Sequence, residues 1–284
     1  MNKWIIGARP RTLSAAVAPV LVATAAAGDF AQLLPALLAL IVSLALQIGV
    51  NYGNDYSDGV RGTDDNRVGP VRLTASGMAT PSAVKRAALI AFGFAAVAGL
   101  ALALMTSWWL ILVGALSILA AWGYTGGKKP YGYMGLGELF VFIFFGLVAT
   151  VGSYYVQTEE ISREVILASI SMGIFACVIL SINNIRDRAL DEPAGKRTLA
   201  VRLGDYRSRR LFILLILLGY LASAFIGSPW VALTLLSLPV AIKLARGVMG
   251  GATGRDLIPY LAGTGKLQLQ YALLLSLALV LSHG

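Results

Sequence analysis

The stretch Asn51-Tyr52-Gly53-Asn54-Asp55-Tyr56-Ser57-Asp58 puts two amides and two carboxylates at the end of a long apolar run, Leu33 to Val50. Ionisable groups beside a membrane-length apolar segment are costly, and they mark function by default. On a helix, Asn51, Asn54, Asp55 and Asp58 fall at i, i+3, i+4 and i+7, which is one stripe. A stripe of amide and carboxylate oxygens suits a divalent cation better than core packing. Two phases of Asn-x-x-x-Asp coexist in it, Asn51/Asp55 and Asn54/Asp58, with Asp64 further on. The spacing leaves open which of Asp55, Asp58 and Asp64 would touch metal.

A second stretch has the same character. Asn183-Asn184-Ile185-Arg186-Asp187-Arg188-Ala189-Leu190-Asp191 follows the apolar run Glu164 to Ile182 and spaces Asn183, Asp187 and Asp191 at i, i+4 and i+8. Two such clusters on one membrane face form a hard, oxygen-rich site. Mg²⁺ takes one or two carboxylates and completes its shell with the oxygens of a substrate phosphate. The plainer reading, acids paired with Arg61, Arg186 and Arg188 at the interface, does not require the repeated Asn-x-x-x-Asp spacing. A cation pathway would place carboxylates at mid-depth rather than at span ends.

Basic residues able to face a phosphate lie nearby in the chain. Tyr124-Thr125-Gly126-Gly127-Lys128-Lys129-Pro130 offers Lys128 on a glycine-freed backbone, with Tyr124 beside it. Arg72 sits in a Gly/Pro-bounded turn and has the bidentate fork that grips phosphate. Lys196 and Arg197 repeat the theme after Gly195. Tyr52, Tyr56, Tyr124, Tyr131, Phe140, Phe142, Phe144, Phe145, Tyr154 and Tyr155 could line an apolar channel or steady a carbocation, though packing or interface anchoring accounts for most of them.

The elements that must position these residues are membrane helices. The 284-residue chain is 57% hydrophobic and only 13% charged, against roughly 25% charged in soluble domains, with a mean hydropathy of +0.76. Apolar runs of about 20 residues fall near 12–28, 33–54, 83–105, 107–125, 135–157, 164–185, 211–227, 229–246 and 266–282, so the chain reads as one all-α polytopic membrane domain, 1–284, of about nine transmembrane helices. The start is read as a retained first span rather than a cleaved signal. With the N-terminus inside, 22 of the 23 basic residues fall in inside segments or adjoining span ends, and only Arg163 does not. That bias predicts a cytoplasmic N-terminus, an outside C-terminus, and both acidic stretches on the cytoplasmic face. The +9 net charge is thereby a membrane-orientation signal rather than a nucleic-acid footprint. The single cysteine, Cys177, excludes an internal disulfide and reads as a buried thiol. The lone His283, at the chain's end, argues against a triad or a His-ligated metal.

Across essentially its whole length the sequence resembles the UbiA-type intramembrane aromatic prenyltransferases. The carriers are Asn54 to Asp58, Asp187-x-x-x-Asp191 and Tyr124-x-x-x-Lys128. Within that family it is most similar to the menaquinone branch, on Ala8-Arg-Pro-Arg-Thr-Leu-Ser14, Asn51 through Asp64, Gly69-Pro-Val-Arg-Leu73, Tyr124-Thr-Gly-Gly127 and Gly135-x-Gly-Glu138. The family's first motif, Asn-x-x-x-Asp-x-x-x-Asp, departs here in its third place, which falls on Gly62. The resemblance implies a nine-helix fold around a central cavity opening to the cytoplasmic side of the cell membrane. It implies Mg²⁺ held by Asn51, Asn54, Asp55, Asp58, Asn183, Asp187 and Asp191, and a polyprenyl diphosphate met by Arg72, Lys128, Lys196, Arg197 and Tyr124. Asp58, Asp187 and Lys128 would carry the chemistry. The acceptor would be 1,4-dihydroxy-2-naphthoate, prenylated with loss of its carboxylate to give demethylmenaquinone. A sibling prenyltransferase with another aromatic or lipid acceptor, and a secondary transporter, are the competing expectations.

Overall fold

Continuous Leu/Ala/Val/Ile runs broken by Gly, Pro and polar loops leave the backbone one way to satisfy its own hydrogen bonds in lipid, the helix. The computed structural model describes residues 2–63, 69 and 71–283, and all its regular secondary structure is helical. In chain order the helices are α1 (Lys3–Ala8), α2 (Ser14–Ala27), α3 (Leu33–Val60), α4 (Pro81–Met105), α5 (Trp109–Gly123), α6 (Gly137–Val141), α7 (Ala149–Thr158), α8 (Arg163–Asp191), α9 (Leu199–Ala224), α10 (Leu238–Met249) and α11 (Ile258–His283), with short 3₁₀ turns between some of them. A π-helical segment, Phe142–Val148, joins α6 to α7, so that Gly137–Thr158 forms one span. Among the described residues, six helices are long and apolar enough to cross a membrane, seven if the bent pair Lys3–Thr12 and Ser14–Phe30 counts as one span; Trp109–Gly123 is apolar but shorter.

Capping sets several of these starts. Thr80, Ser162 and Thr198 side chains accept from the backbone N–H three residues on, opening α4, α8 and α9, which satisfies donors a helix start otherwise leaves orphaned. The expected span at 211–227 is the later part of a longer helix: α9 begins at Leu199 and bends where Gly204 takes a positive φ of 75°.

α8 is the hub. In its most apolar window 72% of residues are buried, against 28% in α3. Met172, Phe175, Ile179 and Ile182 of α8 share one core cluster with Phe212 and Ile216 of α9, Tyr271 and Leu275 of α11, and Val22 of α2. Lipid supplies no hydrophobic force between helices, so close approach depends on small residues. The clearest case is Gly146 of the π segment against Gly173 of α8. A Cβ on Gly173 would lie 2.9 Å from the Phe142 carbonyl oxygen and 3.1 Å from Gly146 Cα. That contact seats the aromatic π segment beside the helix that carries the second acidic stretch. Cys177, as expected, is a buried free thiol; its Sγ–H donates to the Glu138 carbonyl at 3.2 Å.

Gly173→Ala should overpack this crossing at a cost of about 1–3 kcal/mol, lowering the thermal midpoint of the purified protein. Gly93→Ala, where an added Cβ meets nothing within 4 Å, should not lower it. Equal midpoints for the two variants would contradict the crossing's importance.

Candidate active site

Between α2, α3, α4, α5, the α6–α7 span and α8 lies a cavity of about 800 Å³. On α3 its lining runs from Ala39 to Asp58, roughly 28 Å at 1.5 Å per residue. The far part is lined by Val42, Leu46, Leu102 and Leu110, and the near end by Asn51, Asn54, Asp58, Arg72, Asn183, Asp187, Asp191 and Lys196. The chamber is therefore polar at one end and apolar along the rest.

The polar end joins the two acidic stretches through one ammonium. Lys196 Nζ donates to Asp58 Oδ2 at 3.1 Å and lies 3.9 Å from Asp191 Oδ1. Asp58 and Lys196 are 3% and 6% exposed, so neither charge is cushioned by bulk water, and each needs the other. Tyr133 completes the arrangement: its hydroxyl donates to Asp58 Oδ1 at 2.6 Å, and Lys196 Nζ stands 4.8 Å from its ring centroid. Burial first, and the Asp58 carboxylate second, push the Tyr133 phenol well above its ordinary value. It stays a proton donor to Asp58 at any physiological pH. Asp187 accepts from Arg186 Nε and Nη2, both at 2.7 Å, while the third nitrogen, Arg186 Nη1, is buried without a hydrogen-bond partner among the described residues.

Other residues of the first stretch are occupied differently. Asp55, fully buried, accepts from Leu73 N–H at 2.7 Å and Thr74 N–H at 2.9 Å and is absent from the cavity lining. It anchors the polar loop after α3, an unexpected role for a residue read as a metal ligand. Asp55 and Asp58 lie about 60° apart around a helix, enough for one to face the loop and the other the cavity. Asn51 donates to the Ala8 carbonyl at 2.9 Å and to Thr12 Oγ1 at 3.1 Å. It thus tethers the bend between α1 and α2, where Arg9 adopts a left-handed φ of 53°. Asn54 Oδ1 accepts from Thr125 Oγ1 at 2.8 Å. Asn183, on the lining, donates to the Ile179 carbonyl at 3.0 Å. Asp64 lies outside the described residues.

The basic residues sort unevenly. Lys196 and Arg72 are buried and line the cavity, but Lys128 and Arg197 are exposed and off it. Lys128, expected to offer a point charge near the metal site, is not among the residues that line the cavity with the carboxylates. Arg61 donates to the carbonyls of Thr125 and Gly127, and Gly127, at a positive φ of 77°, turns the chain just before Lys128. Tyr124 lines the cavity and begins an aromatic ladder with Tyr131, Phe140 and Phe144; the Tyr131–Phe140 centroids are 4.0 Å apart at 21°.

Two groups the sequence reading passed over are Tyr133 and Thr125, while Arg186, read there as an interfacial partner for the acids, does pair with Asp187. Tyr133 falls between the stretches Tyr124–Pro130 and Gly135–Glu138, and nothing in its own spacing marked it. Thr125 offered no signal beyond adjacency to a motif residue.

The profile of the UbiA prenyltransferase family matches residues 16–258. The chain belongs to that family. It is 50% identical over 281 residues, 98% of this chain and 96% of the other, to the 1,4-dihydroxy-2-naphthoate octaprenyltransferase of Mycobacterium tuberculosis. It is 39% identical to the enzyme of the same name from Escherichia coli, over 99% of this chain and 96% of that one. A UbiA homologue from Archaeoglobus fulgidus, solved bound to DMAPP and Mg²⁺, superposes with a TM-score of 0.71 at 14% identity, covering 98% and 99% of the two chains. At that identity the likeness speaks for the fold.

The donor set of this UbiA member fits Mg²⁺ by its chemistry. It is all oxygen, buried, and already counterbalanced by cationic side chains. Among the described residues no group of three or more His, Cys, Asp or Glu side chains is placed to hold a metal ion by itself.

Asp55→Asn keeps the volume but halves the strong acceptors for Leu73 and Thr74. Hydrogen bonds to charged groups are worth about 1.5–3 kcal/mol, so a loss of that order in unfolding free energy is expected. Unchanged stability would contradict the anchoring role.

Proposed function

We infer that this protein transfers a polyprenyl group from polyprenyl diphosphate to 1,4-dihydroxy-2-naphthoate, with loss of the acceptor's carboxylate, in menaquinone biosynthesis. One observation carries the reaction class: buried carboxylates from two separate helix ends meet at the polar mouth of a long apolar chamber. A prenyl diphosphate has the same division, an anionic head and a hydrocarbon tail. The acceptor rests on the near-full-length similarity to two proteins named for dihydroxynaphthoate.

Asp58, Asp187 and Asp191, with Asn54 and Asn183 beside them, are the residues that would hold Mg²⁺. When bound, the ion neutralises charge on the departing diphosphate. Lys196 and Arg72 supply positive charge at the same end, and charge placed where charge develops lowers the barrier most. Arg186 Nη1, buried and without a hydrogen-bond partner among the described residues, is a further donor available to an anion. Lys196 takes the part the sequence assigned to Lys128. The carbon–oxygen bond breaks with its electron pair leaving on diphosphate. The faces of Tyr131, Phe140 and Phe144 steady the allylic cation, and the apolar lining keeps water from it. The electron-rich ring carbon forms the new carbon–carbon bond, the carboxylate leaves as CO₂, and its bonding pair restores the ring as the hydroquinone of demethylmenaquinone.

The charge distribution supports a multi-pass protein of about nine spans in the cell membrane, with the N-terminus and the polar mouth on the cytoplasmic side. There a water-soluble acceptor and an amphiphilic donor can both reach the mouth.

Purified protein given dihydroxynaphthoate and a long prenyl diphosphate should form prenylated product with Mg²⁺ and none with a chelator. Asp58→Asn and Asp187→Asn should each lower kcat by about 100-fold or more, the scale of losing one electrostatic stabiliser. Product formation that ignores the chelator, or survives both substitutions, would overturn the assignment.

A further inference from the structure

We propose that Lys196 occupies the seat of a metal ion in the unloaded protein, yields that seat when the ion arrives, and then turns to the diphosphate. The inference rests on the metal–diphosphate reading above and goes beyond it by giving one residue two positions.

The ammonium bridges Asp58 and Asp191, at 3.1 and 3.9 Å, and so stands between the two stretches that a divalent ion would join. An ammonium and a divalent cation cannot share these oxygens at a few ångströms without strong repulsion in a poorly solvated site. The two cations therefore compete for these oxygens. Without a resident cation, Asp58 would be a buried charge lacking a cationic partner, which is strongly destabilising. Lys196 solves that problem for the empty site.

The local backbone lets the side chain move alone. Lys196 N–H donates to the Asp191 carbonyl at 2.9 Å and Arg197 N–H to the Tyr133 carbonyl at 2.8 Å, so the main chain is fastened on both sides of the Cα. The four-carbon stem is the free part. A lysine suits this use because its point charge has no fixed fork to break, in contrast to Arg186, clamped on Asp187 through two nitrogens. The Tyr133 face, 4.8 Å from Nζ, offers a cation-stabilising surface beside the seat. Lys196 also lines the cavity, so an ammonium leaving Asp58 enters the space a diphosphate would fill.

The test uses the full-length protein in lipid nanodiscs and Mn²⁺ alone, followed by electron paramagnetic resonance, with no diphosphate present. Lys196→Gln and Lys196→Met should bind Mn²⁺ at least about tenfold tighter than the wild type, the direction expected when a like charge at the seat is removed. Lys129→Gln, which removes the same charge from an exposed position, should stay within about twofold. In the wild type, amine labelling of Lys196 read by mass spectrometry should rise with Mg²⁺ alone and fall when a non-reactive prenyl diphosphate analogue is added; this arm holds even if the variants fold poorly. Unchanged or weaker Mn²⁺ affinity in folded Lys196 variants, or labelling indifferent to saturating Mg²⁺, overturns the exchange while leaving the metal site standing. Mn²⁺ binding by neither wild type nor variants overturns the exchange, and the metal reading then rests on Mn²⁺ binding with a prenyl diphosphate analogue present.

Discussion

The polar end of this protein depends on keeping buried carboxylates compensated. Asp58 is 3% exposed and Asp191 is 9% exposed, so solvent screens them little. Lys196, Arg186 and Tyr133 do the screening, each from a different part of the chain: the loop after α8, α8 itself, and the turn before α6. The helix ends are thus held together by charge pairing where the apolar interior no longer reaches. Such pairing contributes little net stability once desolvation is counted. Its consequence is placement, because it brings acids on α3 and α8 to one opening.

Everything behind that opening follows a different physics. The interior is fastened by close approach of small residues and by aromatic contacts, with Gly146 against Gly173 and the Tyr131–Phe140–Phe144 ladder along one wall. A π-helical segment is a known accompaniment of functional sites, and here it carries Phe144 and Phe145 of the lining. The division between a charged mouth and an apolar barrel lets one cavity accept both ends of an amphiphile.

Much of this was legible in the sequence. Long apolar runs give helices because lipid permits little else, and every expected run is helical over most of its length. The two acidic stretches were found as stripes, and both reach the cavity. The stripe could not show that Asp55 turns to the loop while Asp58 turns inward. A rotation of about 60° is smaller than the width of any helical face read from spacing, and the deciding partner, the backbone of Leu73 and Thr74, is a loop whose path no periodicity encodes. Lys128 misled for a related reason. Adjacency to a motif does not give side-chain direction, and the glycines that seemed to free the lysine toward the site turn the chain so that it meets solvent. Tyr133 was invisible because a tyrosine at a membrane interface is ordinary until its hydroxyl is seen on a carboxylate.

On the proposed reading, Asp58 on α3 and Asp191 on α8 act on one cation site rather than two. A double-mutant cycle tests it most directly, comparing Mn²⁺ affinity in the presence of a prenyl diphosphate analogue for wild type, Asp58→Asn, Asp191→Asn and the double variant. Residues sharing a site couple by roughly 0.5–3 kcal/mol, so the second substitution should cost clearly less once the first is made. Strictly additive losses would mean two independent sites and would contradict the account.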